Sequence, residues 1–171
     1  MLNIKKFAMN WQQLIIVIGL VLVQPIQSKE IGQALNSCSL KALNGNESLN
    51  LQHLEGKVVY IDFWASWCPP CVKSFPFLNS LHNEYHADGL QVIGINLDEV
   101  SADAKEFASK HPVDFALAVD DTKLCAKDLG VAAMPTSYLV DRNGIIRHIH
   151  LGFRDGQADE LRKQVQLLLS E

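Results

Sequence analysis

Val58-Val59-Tyr60-Ile61-Asp62-Phe63-Trp64-Ala65-Ser66-Trp67-Cys68-Pro69-Pro70-Cys71 is the stretch that decides how this 171-residue chain is read. Its first seven residues are apolar apart from Asp62 and rich in β-branched and aromatic side chains, which predicts a buried parallel strand covered on both faces. Pro69 and Pro70 suit the first turn of a helix, where a missing N–H costs little. Cys71, Phe75, Leu78, Leu81 and Tyr85 then follow at three- and four-residue steps, and predict a helix of about four turns. Cys68 therefore falls at or just before a helix N-terminus, where the partial positive charge stabilises a thiolate. Cys71, one turn in, is expected to be the more buried thiol, placed to attack a mixed disulfide formed on Cys68. Two thiols at this spacing can close a small disulfide ring and open it again, which is the chemistry of thiol–disulfide exchange. A structural zinc site would need four ligands, and Cys38 and Cys125, 87 residues apart, make no second Cys-x-x-Cys.

Asp62 to Cys71 resembles the active-site segment of the thioredoxin superfamily. Lys57 to Trp64 followed by Cys-Pro-Pro-Cys resembles the TlpA-like branch, membrane-tethered or periplasmic, which includes the cytochrome c maturation reductases. Pro76 matches the proline inside the active-site helix, Met134-Pro135-Thr136 the cis-proline loop that faces the cysteines, and Asp141-Arg142-Asn143-Gly144 the turn of the closing hairpin. The resemblance covers about residues 38 to 170 and implies an α/β thioredoxin-like fold with a central mixed sheet flanked by helices. An N-terminal β-hairpin and a helix–strand insertion between Cys71 and Pro135 are expected with it.

Asp62 is a carboxylate inside an apolar strand, and burial without a partner should raise its pKa. A buried carboxyl near Cys71 could take that thiol's proton in the resolving step, which matches the buried aspartate of thioredoxin. The alternative is a strand-end Asp that reaches water. The resemblance places Gly94 where thioredoxin has a lysine beside this carboxylate, and Ser74 where many TlpA-like proteins carry a glutamate. A cis peptide before Pro135 would leave a short backbone edge beside the disulfide, on which a substrate strand can pair, with Met134 lining the groove. Trp67 is expected to stand partly exposed against the substrate, with Pro69 and Pro70 beside it, and Trp64 to belong to the core. The two prolines bring no charge and remove two N–H donors near the sulfur. That favours a less acidic Cys68 and a reductant over a strong oxidant.

Length suits one domain and a leader. No basic tract supports nucleic-acid binding. Residues 1–28 read as a targeting segment: Lys5 and Lys6, then ten unbroken apolar residues from Leu14 to Val23, then Gln24-Pro25. Ten residues of helix span about 15 Å, half of a bilayer core of about 30 Å. A cleaved signal peptide is preferred, with an uncleaved tether over residues 11–26 as the alternative, and residues 29–171 form the thioredoxin-like domain. Without Lys5 and Lys6 the chain carries 13 basic and 19 acidic residues, a net charge of −6. Export to the periplasm would keep the thiols paired unless electrons are supplied, and the resemblance implies a membrane electron donor of thiol–disulfide type. A monomer is expected, with no cofactor and no metal.

Cys38 and Cys125 could form a structural disulfide joining the N-terminal segment to a helix over Thr122 to Leu129, or stand as separate buried thiols. Cys38 to Leu43 and Glu47 to Leu51 predict a hairpin around Asn44-Gly45-Asn46. Further strands are expected over Leu90–Leu97, Phe115–Val119, Thr136–Val140 and Ile145–Leu151. Helices are expected over Ser101–Lys110, capped by Ser101, and from Asp155 or Gly156 to Ser170. His82 and His86 lie one turn apart but lack the His-Glu-x-x-His pattern, so a solvated helix face is expected. His148 and His150 share one face of a strand, toward solvent or a neighbouring helix.

Three functions compete. The first is an exported reductase of protein disulfides: Cys68 attacks, Cys71 resolves, Asp62 assists proton transfer and Pro135 docks the substrate. The second is a thiol peroxidase, whose Thr three residues before the reactive Cys and Pro four before that are here Ala65 and Ile61. The third is a copper-binding or metallochaperone module, which in this fold spaces its cysteines by three residues and adds a His.

Overall fold

A computed structural model of the chain describes residues 29–45 and 47–171. The targeting or anchoring segment expected over residues 1–28 lies outside the described residues, among which no helix is long and apolar enough to cross a membrane.

Among the described residues, seven strands form one mixed sheet. They are β1 (Ser39–Ala42), β2 (Ser48–Asn50), β3 (Val58–Trp64), β4 (Leu90–Asn96), β5 (Ala116–Val119), β6 (Thr136–Val140) and β7 (Ile146–Leu151), in the spatial order β2-β1-β5-β4-β3-β6-β7. Every residue of β3 is buried, because side chains that alternate across the pleat enter two separate cores. Val58, Tyr60 and Trp64 meet α1 (Pro69–Tyr85), α2 (Ser101–Lys110) and α4 (Ala158–Ser170) on one face. Val59, Ile61 and Phe63 meet α3 (Leu124–Leu129), Leu51 of a 3-10 turn and the N-terminal arm on the other.

β3 runs parallel to β4 and antiparallel to β6, so the strand that leads into the cysteines is the centre of the sheet's longest pairings. β6 and β7 form the closing hairpin, whose turn is tied by Asp141 Oδ1 accepting from the Asn143 and Ile145 amides at 2.9 and 3.0 Å. The N-terminal hairpin β1–β2 adds to the far edge through β5. α2 and β5, between β4 and α3, are the helix and strand that enlarge the Cys71–Pro135 interval as expected.

Strand ends lie within a residue or so of the sequence reading, and three helix starts differ from it. Ser101 is the first residue of α2 rather than its cap; Val100 takes that place and offers no side-chain acceptor. α3 begins at Leu124, because Lys123 adopts a left-handed conformation (φ 58°) that breaks the helical run at its start. α4 begins at Ala158, after Gly156 turns the chain at φ 88°.

Cys38 and Cys125 are joined in a disulfide that closes an 87-residue separation and fastens the N-terminal arm to α3. Of the two alternatives left open by the sequence, the paired one holds. Cross-linking so long a loop stabilises mainly by constraining the unfolded chain, with a ceiling of roughly 4.6 kcal/mol from loop-closure entropy. The Cys38→Ser/Cys125→Ser protein should lose about 3 kcal/mol in urea unfolding at unchanged activity. A loss below about 0.5 kcal/mol, within the usual range for surface substitutions, would show that this bond is not a structural brace.

Candidate active site

Cys68 is the N-cap of α1, with extended backbone (φ −97°, ψ 101°), and Pro69 and Pro70 fill the first two helical positions. A side-chain cap is absent, so the first-turn dipole faces the sulfur directly. Cys68 and Cys71 form the second disulfide, the Cys71 amide donating to the Cys68 carbonyl at 3.1 Å. Both residues are buried, Cys68 3% and Cys71 0% exposed. Cys71 is the deeper one, as expected, but Cys68 is also closed to solvent in the disulfide form. What stands open beside it is Trp67, 67% exposed, on the surface next to the disulfide, whereas Trp64 is fully buried.

The Met134–Pro135 peptide is cis. Met134 packs, half-buried, against the same extended apolar cluster that holds Cys68 and Cys71, which puts the loop and the disulfide on one face of the sheet. The Pro135 carbonyl accepts from the Gly152 amide at 2.7 Å, and the Thr136 hydroxyl donates to the Ala133 carbonyl at 2.7 Å, which fixes the loop from both sides. Pro76 lies inside α1 without ending it, on its exposed side.

Asp62 does not reach water. It is 1% exposed, on the β3 face that carries Tyr60 and Trp64 toward α1. Ser137 Oγ donates to its Oδ1 at 2.6 Å, and Oδ2 has no hydrogen-bond partner among the described residues. Burial pushes its pKa up to about 7, the Ser137 bond pulling the other way. A carboxyl with that pKa changes hands with a proton at neutral pH, which an ordinary surface aspartate does not.

Gly94 pairs with Asp62 in the parallel register. A Cβ there would come within 2.8 Å of Leu117 Cδ2, 3.1 Å of Trp64 Nε1 and 3.2 Å of Phe115 Cε2, so the position where a lysine partner was sought has no room for any side chain. An aromatic cluster occupies the space: Trp64, Phe75 and Phe107 have ring centroids 4.9 to 5.1 Å apart. Ser74 is buried and donates to the Cys71 carbonyl at 3.2 Å, a local helix bond that places no acid beside the thiol.

Two further residues were not singled out from sequence. Ser137 is brought to Asp62 by antiparallel register across 75 positions; a hydroxyl two residues after the cis-proline was the only available signal. Asp98, buried just beyond β4, accepts from the Ser66 amide at 3.0 and 3.2 Å and from the Ser66 hydroxyl at 3.1 Å. Asn96 Nδ2 donates to its other edge at 2.8 Å. This carboxylate pins the loop immediately before Cys68 to the end of the neighbouring strand.

A cysteine pair at a helix start, together with a cis-proline ahead of the antiparallel strand that pairs with the one leading into it, defines a thiol–disulfide oxidoreductase of the thioredoxin superfamily. The chain belongs to the Redoxin family, whose model matches residues 30–165. It is 31% identical over 153 residues to the thiol-disulfide oxidoreductase ResA of Bacillus cereus, covering 86% of this chain and 88% of that one. It is 36% identical over 141 residues to the thioredoxin-like protein YneN of Bacillus subtilis, covering 78% and 81% respectively. A crystal structure of a protein assigned as the thiol:disulfide interchange protein DsbE of Chlorobium tepidum superposes with a TM-score of 0.79 at 39% identity, covering 83% of this chain and 99% of that one.

The raised pKa of Asp62 has a stability consequence. Between the ordinary value of 3.8 and about 7 the folded protein holds a proton that the unfolded chain has released. Stability from this group is therefore complete below about pH 4, falls as pH rises to about 7, and is level above it. Asp62→Asn removes the titration, so it should match the wild type at pH 4 and exceed it at pH 8 by on the order of 4 kcal/mol. Urea unfolding of the disulfide form at the two pH values measures the difference; equal gaps at both would show that Asp62 titrates normally.

Proposed function

We propose that this chain is an exported reductase of protein disulfides. The observation that carries the reading is the cysteine pair of α1, one sulfur at the helix N-terminus and the other buried a turn deeper, on the sheet face that also carries a proton-accepting carboxyl. In the dithiol form the Cys68 thiolate attacks one sulfur of a client disulfide. A mixed disulfide forms and the client's other sulfur leaves as a thiolate that takes a proton from water. Asp62 accepts the Cys71 proton, the Cys71 thiolate attacks Cys68 Sγ, and the client's second sulfur departs as a thiolate that takes a proton from water. Two electrons pass from the cysteine pair to the client, and the enzyme is left as the disulfide seen here.

Direction follows from the groups around Cys68. Neither Pro69 nor Pro70 offers an N–H or a charge to its thiolate, which leaves the dithiol form less favoured and the protein a reductant. The exposed Trp67, with Met134, Pro135, Pro69 and Pro70, supplies a client-facing surface, and the cis-proline edge a place for an extended client segment to pair. The ResA relative supports exchange with protein substrates and redox partners. The charge and hydropathy of residues 1–28 support a signal peptide, or a tether over residues 11–26, ahead of a thioredoxin-like domain over residues 29–171, and so a periplasmic address. There an electron donor of thiol–disulfide type at the membrane would restore the dithiol, and the protein would act as a monomer.

Insulin reduction tests the reading: Cys68→Ser should abolish it. Cys71→Ala, which cannot resolve, should accumulate clients as mixed disulfides that dithiothreitol releases. A Cys68→Ser protein that still turns over insulin, or an equilibrium potential as high as roughly −120 mV, that of a strong oxidant, would contradict it.

A further inference from the structure

In this reading Asp62 must exchange with solvent the proton it trades with Cys71, and neither its β4 side nor its α1 side leads out. On the β4 side Gly94 is packed against by Leu117, Trp64 and Phe115, all without a titratable group. On the α1 side Cys71 lies in the apolar cluster with Phe75 and Leu78. The polar neighbours lie on β3 itself and on β6. Ser137 donates to Asp62 Oδ1, and Tyr60 lines the same cavity as Ser137, its phenol kept protonated by burial and by the nearby Asp62.

Beyond Ser137 there is a gap between sheet and helix. A cavity of about 10 Å³ is lined by Tyr60, Ser137, His148, His150, Leu161 and Gln164. That volume is close to the room one water needs, and the lining offers it several polar partners. His150 is the register partner of Ser137 across the β6–β7 pair, and His148 that of Leu139, so both imidazoles project on the cavity's face of the sheet. Both are half-buried, with one side toward the surface. His150 Nε2 lies 3.3 Å from Gln157 Oε1 at the start of α4. His148 faces Arg147 on its own strand and Glu160 on α4; burial first, then Arg147, holds its pKa down, so it stays neutral and able to accept a proton at pH 7.

We propose that Asp62 exchanges its proton with solvent sideways along its face of the sheet, by way of the Ser137 hydroxyl and the small cavity, to His150 and His148 at the β7–α4 edge. The transfer is a proton relay. Asp62 gives its proton to Ser137 Oγ while Ser137 passes its own to a water in the cavity, and that water passes one to an imidazole, which releases it to bulk. The return of Ser137 to its original hydrogen bond resets the path. No bond other than O–H and N–H changes, and no electron moves. Ser137 is thus a positioning residue for Asp62 and the two histidines are the outer terminus, a role outside the cysteine pair and the cis-proline loop. The inference rests on the proposed role of Asp62 in the resolving step.

The test is stopped-flow oxidation of the full dithiol protein by a disulfide-bonded peptide in dilute buffer, followed by tryptophan fluorescence between pH 6 and 9. Ser137→Ala should lower the limiting rate roughly tenfold and enlarge the solvent deuterium effect, while Ser137→Thr, which keeps the hydroxyl, should restore both. The double variant His148→Gln/His150→Gln should be slowed in dilute buffer and regain its rate on adding imidazole, but not on adding sodium chloride to the same ionic strength. The route is overturned if Ser137→Ala and the histidine variant keep wild-type rates and isotope effects while Asp62→Asn is slow. It is also overturned if imidazole fails to restore a slowed histidine variant. Asp62→Asn as fast as the wild type overturns the role of Asp62 itself, and the route with it.

Discussion

A carboxyl buried in the middle strand of a sheet, with one short hydrogen bond and one bare oxygen, is the constraint on which the rest of this structure turns. β3 is otherwise a run of apolar residues closed off by two cores, and substituting an apolar side chain at Asp62 would cost the fold little. Keeping an acid there costs stability at every pH above its ordinary range. The surroundings do nothing to relieve that cost with a counter-charge. The neighbouring strand offers a glycine whose Cβ position is already filled by three side chains, and the helix above offers thiols and aromatics. Such a site suits a group that must be neutral part of the time. A paired carboxylate would hold its charge, whereas one stabilised only by a serine hydroxyl can trade a proton with a thiol of comparable affinity.

The two disulfides occupy different physical situations, though both are buried. Cys68–Cys71 closes a three-residue step at the open end of a helix, beside an exposed tryptophan and a loop held by Gly152 and Ala133. Cys38–Cys125 closes a separation of 87 residues and ties the arm before β1 to a six-residue helix. Breaking and remaking the first moves one turn of chain. Opening the second would release the covalent tie between the arm and α3, leaving β1 held by its pairing with β5. The Asp98 clamp fits the same division, since it holds the Ala65–Trp67 loop in place at a point where the chain itself has no regular structure.

Much of this was legible in the residues. An apolar run broken only by Asp62 and leading into Cys-Pro-Pro-Cys reads as a central strand feeding a helix, and the proline after Met134 marks the cis-proline loop. Asp62 was legible as an anomaly, a charge where the pattern allows none. What could not be read is whatever depends on register and close packing. Ser137 reaches Asp62 because β6 pairs antiparallel with β3 at that offset, and a shift of one residue would put it in the other core. Asp98 follows a strand as many surface aspartates do, and only the fold turns it inward. The helix starts moved because left-handed residues at Lys123 and Gly156 interrupt the chain where side-chain pattern alone would continue it.

Titration of the Asp62 carboxyl carbon by NMR in the oxidised protein bears most directly on the central claim. A midpoint near 7 is predicted, moved further upward when Ser137 is replaced by alanine, because the serine bond favours the ionised form. A midpoint near 4, the ordinary value for a hydrated aspartate, would contradict the account, since it would mean that water or a cation reaches a carboxyl described here as sealed from both.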